Sequence, residues 1–291
     1  MVDENTPGTP SISQTTRIAP PETPRKCKEP TIRHATSSPY LQPGIKANLS
    51  KNLSVENVKL RLKDLLGLPF TPGDFQAHLI HRILRGYDSF LVAGTGYGKS
   101  LVFEGVSKLA GKRKLVIVIC PLKALERDQV EHATAKGIKA YAVNEDTVKT
   151  PRFWQMVEQH AQMLYISPEM ALSPAFLGLF KSSSFRRCTA AIFVDEAHCI
   201  DEWGEEEFRL QYRQLDCLRP FTGNEIPVAA CTATCQTDTF DIIWDSLGYG
   251  HRPFWGLDVG VEHPNLCHPP ALLLDPFQCI LLDDPLPDEC L

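Results

Sequence analysis

The sequence predicts an α/β fold in which a mostly parallel sheet carries helices on both faces. Short apolar runs alternate with helical stretches along the middle of the chain, and this alternation is typical of parallel sheets. A glycine-rich turn, residues 93–100, stands between a strand-like run and a helix-like run. Ligands of such sheets bind beyond the carboxyl ends of the strands, where this turn would lie. The strand-like runs are Phe90–Val92, Lys114–Cys120, Ala140–Val143, Met163–Ile166, Ala190–Val194 and Val228–Cys231.

Helical patterns separate these strand-like runs. Ser54 precedes an amphipathic pattern whose leucines continue to position 66, which predicts a capped helix. The remaining helices are predicted at Asp74–Leu84, Ala124–Ala133, Phe153–Gln159 and Thr237–Leu247.

The two ends of the chain differ from its middle in composition. Residues 1–52 are rich in Pro, Ser and Thr, and they predict a disordered tail because they carry too little apolar surface to offset the entropy lost on ordering. Residues 266–291 combine prolines with acidic residues and are expected to form a loose tail. Residues 53–265 are therefore predicted to be the folded domain.

Composition limits the partners and the compartment. The formal net charge is −5, so no overall basic field attracts nucleic acid, and any such contact must be local. The 10 cysteines include no C-x-x-C pair, which favours a reducing cytosolic or nuclear compartment over a secreted one. No apolar run approaches the roughly 18 residues of a membrane span, so we expect no membrane partner.

Residues 93–100 have the pattern of a phosphate-binding loop. A glycine-rich turn between a strand and a helix directs successive backbone N–H groups at one point, and the helix N-terminus adds its positive dipole end. Lys99 can reach the β- and γ-phosphates, and the Ser100 hydroxyl can bind Mg²⁺. The alternative is a plain glycine turn with a chance lysine. The predicted nucleotide-binding residues of this loop are Gly94, Thr95, Gly96, Tyr97, Gly98, Lys99 and Ser100.

Two adjacent carboxylates, Asp195 and Glu196, follow the strand-like run at 190–194. A nucleotide site needs one carboxylate to hold hydrated Mg²⁺ and another to orient and deprotonate the attacking water. We predict that Asp195 binds the metal together with Ser100 and that Glu196 acts on the water. An isolated strand with a solvated acidic turn is the alternative, but the phosphate-binding loop upstream favours the nucleotide site.

These segments resemble, in order, the motifs of superfamily 2 helicases and especially the RecQ-like DNA helicases of fungi. Asp195–His198 is similar to the DEAH box of that family, and the chain continues into a stretch with Trp203 and Phe208 that resembles its aromatic-rich loop. The resemblance covers roughly residues 55–265. The other similar segments are Phe70–Gln76 for motif 0, Pro121–Val130 for motif Ia, Tyr165–Glu169 for motif Ib and Thr232–Thr234 for motif III.

The resemblance implies a single RecA-like domain that uses ATP and Mg²⁺ for 3′–5′ DNA unwinding in the nucleus. It implies that Gln76 reads the adenine edge, that Thr232 and Thr234 couple hydrolysis to DNA, and that His198 relays between the γ-phosphate and DNA. A buried structural histidine is the alternative for His198.

Single-stranded or forked DNA is the partner that this resemblance implies. Trp203 and Phe208 can stack on bases, although aromatic side chains are also common in cores. Basic side chains can contact backbone phosphates or can remain solvated. The predicted DNA-binding residues are Lys123, Arg127, Trp203, Phe208 and Arg209.

Three features depart from the family pattern. Gly73 replaces the arginine that usually precedes the motif 0 glutamine, and the acidic run 205–207 would oppose DNA binding. We also expect the second RecA-like domain to be absent, so unwinding would need a lobe supplied elsewhere. The alternatives are a nucleotide-binding interaction module that does not unwind DNA and a fragment of a DEAH- or DEAD-type RNA helicase. Trp203-Gly204 after the DEAH box favours the DNA helicases.

Overall fold

A computed structural model describes residues 53–144, 147, 149–205 and 210–260, without the side chains of 123–125, 203–205, 210 and 224. The two predicted tails, 1–52 and 266–291, lie outside the described residues. Within the described part of the chain, no helix has both the length and the apolar character needed to cross a membrane.

Seven parallel strands form one sheet in the order β3-β4-β2-β5-β6-β1-β7. All six predicted strands are present, and a seventh that was not predicted, β7, pairs with β1 at the edge. β7 contains Gly256 and is only partly buried along its length, so it lacks the continuous apolar run that marks the inner strands. The strands are β1 (Asp88–Val92), β2 (Leu115–Ile119), β3 (Ala140–Val143), β4 (Met163–Ile166), β5 (Thr189–Val194), β6 (Val228–Thr232) and β7 (Phe254–Asp258).

Several helices begin at a serine or threonine whose side chain caps the first turn. The Ser54 hydroxyl accepts a hydrogen bond from the Asn57 N–H at 3.3 Å, and the helix that follows ends at Gly67 with φ 60°. Helices of seven residues or fewer were not predicted, because they are too short to show a clear 3.6-residue period. The helices are α1 (Val55–Leu66), α2 (Asp74–Leu84), α3 (Lys99–Leu109), α4 (Lys123–Ala135), α5 (Pro151–His160), α6 (Pro168–Ala171), α7 (Pro174–Leu179), α8 (Ser183–Cys188), α9 (Cys199–Glu205), α10 (Arg219–Thr222) and α11 (Thr237–Ser246).

The sheet separates two apolar cores. In β2, Val116 and Val118 pack into the core that α1, α2 and α3 cover, whereas Ile117 and Ile119 pack into the core that α5, α7 and α11 cover. Because successive strand residues face opposite sides, both faces of β2 are buried under helices. The predicted α/β fold, with a parallel sheet between two helical layers, is confirmed.

A buried ionic network ties strands together at the amino end of the sheet. The Asp88 carboxylate lies 2.7 Å from the guanidinium of Arg219 and 3.4 Å from that of Arg252. The same carboxylate accepts the backbone N–H of Val228 at 2.8 Å. The guanidinium groups also donate to backbone carbonyls, Arg219 to Leu247 and Arg252 to Gly86. The network therefore joins the starts of β1 and β6 to the segments on either side of α11.

Candidate nucleotide-binding site

The glycine-rich loop leaves the carboxyl end of β1 and leads directly into α3. Gly96 and Gly98 have φ values of 85° and 78°, a region that glycine adopts without steric cost. The Ala93 N–H donates to the carbonyl oxygen of Thr232 at 2.9 Å, which anchors the start of the loop to the end of β6. Gly98 is the N-cap of α3, so the helix N-terminus faces the same space as the loop.

A cavity of about 740 Å³ opens beside this loop. Residues 95–101 form one part of its lining, and Asp195, Glu196 and Gln76 form another. The predicted phosphate-binding and carboxylate residues, which are separated by almost a hundred positions, therefore border one space. Such a cavity with a few convergent polar groups is typical of a small-molecule site.

Lys99 lies between the loop and the carboxylates. Its Nζ donates to the carbonyl oxygen of Ala93 at 3.0 Å and is 3.9 Å from Oε1 of Glu196. The side chain is 11% exposed. The ammonium group is therefore directed into the cavity and is partly compensated by oxygen atoms of the protein.

Asp195 and Glu196 concentrate negative charge at the carboxyl end of β5. Burial, reinforced by the neighbouring Glu196 carboxylate, raises the pKa of Asp195 to about 6. The Glu196 N–H donates to Oδ1 of Asp195 at 3.1 Å. A buried carboxylate of raised pKa that shares its cavity with the Ser100 hydroxyl offers oxygen ligands to a hard divalent cation, so these residues fit Mg²⁺.

The Glu196 backbone lies in the left-handed region, with φ 47°. A non-glycine residue there costs roughly 1–2 kcal/mol, and such strain is concentrated at functional sites. Here it turns the chain sharply after β5, so that the partly exposed Glu196 carboxylate lines the cavity beside Lys99.

His198 connects the carboxylates to the end of β6. The Thr232 hydroxyl donates to the carbonyl oxygen of Thr234 at 2.9 Å, so it must accept from Nδ1 of His198, which is 2.9 Å away. The same Nδ1 is 3.4 Å from Oε2 of Glu196. The bond to Thr232 assigns the proton to Nδ1. The structure thus joins His198 to the predicted coupling residues Thr232 and Thr234 by hydrogen bonds, with the Glu196 carboxylate close to the same ring nitrogen.

Gln76, predicted to read adenine, lies at the cavity but directs its amide to backbone atoms. Oε1 accepts the Gly73 N–H at 2.8 Å, and Nε2 donates to the carbonyl oxygens of Tyr97 and Gly98 at 3.1 and 3.2 Å. Gln76 therefore joins the start of α2 to the glycine-rich loop.

The predicted DNA-binding residues are only partly described. Arg127 is exposed on α4. The side chains of Lys123 and Trp203, and all of Phe208 and Arg209, lie outside the described residues. Their proposed DNA contacts stay predictions.

Sequence reasoning missed one wall of the cavity. Gln129 and His132 on α4, and Lys136 at its C-cap, are spaced three and four positions apart and line the cavity. His132 Nδ1 and Lys136 Nζ lie 3.1 and 2.6 Å from the carboxylate of Glu104 on α3, which is 1% exposed. The polar residues along one side of α4 were visible in the sequence, but only the packing of α3 against α4 shows that they line the cavity. Residues 66–69 form a further unpredicted part of the lining, next to Phe70 at the start of the motif 0 segment.

The profile of the DEAD/DEAH box helicases matches residues 73–242, more than half of the chain. The chain belongs to the DEAD/DEAH box helicase family. The matched region runs from the start of α2 into α11 and so contains the glycine-rich loop and both carboxylates.

Similar proteins include RecQ-family DNA helicases, as the motif resemblance predicted. The chain is 33% identical to an ATP-dependent DNA helicase RecQ of Synechocystis over 66% of this chain and 42% of that protein. It is 34% identical to the ATP-dependent helicase SGS1 of Saccharomyces cerevisiae over 65% of this chain and 13% of that protein. The chain thus spans less than half the length of these relatives.

A solved structure of the DUF1998 helicase MrfA bound to DNA has a similar fold. Its TM-score is 0.55 at 20% identity, over 68% of this chain and 29% of that chain. At this identity the likeness concerns the fold alone, and it agrees with the parallel sheet described above.

Proposed function

We propose that residues 53–265 are the ATP-binding half of a RecQ-like 3′–5′ DNA helicase, which binds and hydrolyses Mg·ATP. The observation that carries this proposal is the convergence of Lys99 and Glu196, 3.9 Å apart, on the cavity that also contains Ser100 and Asp195. A phosphate-binding cation, a metal-binding pair and a carboxylate base are the groups that nucleotide hydrolysis requires.

The roles of the side chains follow from their positions. When nucleotide binds, the Lys99 ammonium would leave the carbonyl oxygen of Ala93 and bind the β- and γ-phosphates, because charged oxygens are stronger hydrogen-bond acceptors. Ser100 and Asp195 would hold Mg²⁺, which supplies charge neutralisation at the phosphates. Glu196 would orient the attacking water and accept its proton. His198 would link Glu196 to Thr232, and through it to Thr234.

Replacement of Lys99 by alanine tests the nucleotide site directly. We expect Lys99→Ala to weaken Mg·ATP binding by about 10- to 150-fold, because hydrogen bonds to charged groups contribute about 1.5–3 kcal/mol. Titration with a fluorescent ATP analogue measures the affinity. Lys112→Ala, a change at an exposed lysine that does not line the cavity, is the matched control and should bind like the wild type. Equal affinities for Lys99→Ala and Lys112→Ala would mean that residues 93–100 are only a turn.

Single-stranded or forked DNA is the second proposed ligand. A partner would supply the second RecA-like lobe. The proposed compartment is the nucleus. Support comes from the basic residues Lys123 and Arg127 on α4, which can contact phosphates. The aromatic residues Trp203 and Phe208 after the DEAH box can stack on bases. The acidic run 205–207 opposes this and favours the alternative of a nucleotide-binding module that does not unwind DNA.

A labelled oligonucleotide distinguishes these two functions. We expect weak binding at low ionic strength that declines with salt, because part of it comes from phosphate contacts. Trp203→Ala should weaken it by about 5- to 150-fold, since stacking contributes about 1–3 kcal/mol per base. Changing residues 205–207 to glutamine should strengthen it by removing repulsion. Fluorescence anisotropy is the measurement, and no binding by either the wild type or the glutamine variant would favour the interaction module.

A further inference from the structure

Basic side chains collect at the amino end of the sheet, at the opposite end of the strands from the glycine-rich loop. Each lies in a segment that leads into β3, β2 or β5, all in one half of the sheet. We propose that this group, the basic edge, binds the phosphate backbone of duplex DNA. The inference rests on the proposed DNA helicase function and adds to it a surface for the paired part of a forked substrate. The basic edge consists of Lys112, Arg113, Lys114, Lys139, Arg186 and Arg187.

The segments before β2 and β5 are held together. Leu115 pairs with Thr189 where these two strands begin. The Nζ of Lys114 donates to the carbonyl oxygen of Arg187 at 2.7 Å, so the loop before β2 is fastened to the end of α8. The basic residues of the two segments therefore share one surface.

Lys139 extends this surface across β4. Oε1 of Gln162, the residue before that strand, accepts the N–H of Lys139 at 3.1 Å. The carbonyl oxygen of Gln162 accepts the N–H of Val116 in β2 at 2.9 Å. Because neighbouring strands lie about 4.8 Å apart, the basic edge extends over roughly 14 Å from β3 to β5.

The basic edge differs in charge from the chain as a whole, whose formal net charge is −5. Residues 105–125 and 170–194, which contain all of its members except Lys139, have no aspartate or glutamate. Burial raises the pKa of Cys188 to about 11, the Glu158 carboxylate adds to this effect and the Lys114 ammonium opposes it, so one acidic residue lies nearby. A local excess of positive charge attracts a polyanion even when the net charge of the protein is negative.

The turn that carries Lys112 and Arg113 adopts a costly backbone conformation. Arg113 has φ 62°, in the left-handed region. A residue other than glycine pays roughly 1–2 kcal/mol there, and such strain is concentrated at functional sites. Here it accompanies two exposed cations in the loop between α3 and β2.

The surroundings of the basic edge favour phosphates over bases. Phe180 and Phe185, which flank its α8 segment, are 1% exposed and cannot stack on a base. Contacts made by cations alone go to the sugar–phosphate backbone and are independent of sequence. Duplex DNA carries one negative charge per about 1.7 Å of its axis, against about 3.4 Å for one strand, so the duplex is the stronger ligand.

The same surroundings argue against a protein partner. Protein interfaces depend on a few large apolar or aromatic anchors. In the part of the chain that the structure describes, the exposed large apolar residues belong to other segments. They are Leu60, Leu65, Phe70 and Leu122.

The salt dependence of duplex binding tests the basic edge. Fluorescence anisotropy of a labelled duplex is measured with the full chain at several salt concentrations. The triple variant Lys112→Gln/Arg113→Gln/Arg187→Gln removes three exposed cations. It keeps Lys114 and Arg186, which bond to backbone carbonyl oxygens. Each phosphate contact contributes about 0.9 to the slope of log affinity against log salt concentration, so this slope should become shallower by about 2 to 3. Duplex affinity at about 50 mM salt should fall at least tenfold.

A second triple variant controls for net charge. Arg61→Gln/Lys63→Gln/Arg152→Gln removes three exposed cations from α1 and α5 and should keep the wild-type slope. Both variants should keep the urea midpoint and the Mg·ATP affinity of the wild type, because neither changes the core or the cavity. Affinity of the basic-edge variant for a single-stranded oligonucleotide should stay within about twofold of the wild type.

The possible results are distinct. Equal slopes for the wild type and the basic-edge variant, or an equal loss in the control variant, would overturn the inference. Binding of poly-glutamate in place of the duplex, lost in the basic-edge variant, would assign the surface to an acidic protein and overturn it as well. A wild-type chain that binds Mg·ATP but no duplex at low salt would refute the basic edge and leave the nucleotide site standing. Duplex binding with the expected slopes but without Mg·ATP binding would support the basic edge and refute the proposed nucleotide site.

Discussion

Glu196→Gln is expected to slow ATP hydrolysis by about 100- to 10,000-fold, the usual contribution of a positioned general base, while leaving Mg·ATP affinity nearly unchanged. Glutamine keeps the shape of the side chain but cannot accept a proton from water. The left-handed turn that presents residue 196 and the adjacent Asp195 both remain. Phosphate release by the full chain measures the rate, and titration with a fluorescent ATP analogue measures the affinity.

Asp195→Asn is the matched control, because it changes the neighbouring carboxylate by the same chemistry. It should weaken the Mg²⁺ dependence of ATP binding, since a hard cation prefers a carboxylate to an amide. The two variants should therefore differ, Glu196→Gln in turnover and Asp195→Asn in metal-dependent binding. Identical behaviour in both measurements would contradict the division of roles between the two carboxylates.

The sequence could predict the parts of the site whose functional residues are neighbours in the chain. A glycine-rich turn between strand and helix places Lys99 and Ser100 together without knowledge of the rest of the fold, and a strand ending in Asp195 and Glu196 does the same for the carboxylates. Both segments lie at carboxyl ends of parallel strands, so the fold class alone brings them to one edge.

Features that depend on packing between distant elements could not be predicted. The cavity wall on α4 faces the loop because the buried Glu104 on α3 pairs with His132 and Lys136, and no local pattern marks Glu104 as buried. The hydrogen bonds of the Gln76 amide also depend on packing between distant elements, since its partners Tyr97 and Gly98 are more than twenty positions away in the sequence. Likewise β7 is defined by its pairing with β1 and not by its own composition.

Asp88→Ala is expected to reduce the free energy of unfolding by about 3–5 kcal/mol, because breaking a buried ion pair leaves an uncompensated charge. Here two guanidinium groups, of Arg219 and Arg252, would lose their carboxylate, and the Val228 N–H would lose its acceptor. Water reaches little of this region, as Asp88 and Arg252 are almost completely buried. Urea unfolding of the wild type and Asp88→Ala measures the difference.

Two controls separate the ionic network from the simple loss of a carboxylate. Asp64→Ala changes an exposed aspartate on α1 and should alter the free energy of unfolding by less than about 0.5 kcal/mol. The double variant Asp88→Ala/Arg219→Met removes one of the stranded charges, so its loss should be smaller than the sum of the two single losses. Additive losses would mean that Asp88 and Arg219 contribute independently. The buried pair would then not be what holds the starts of β1 and β6 to the segments that flank α11.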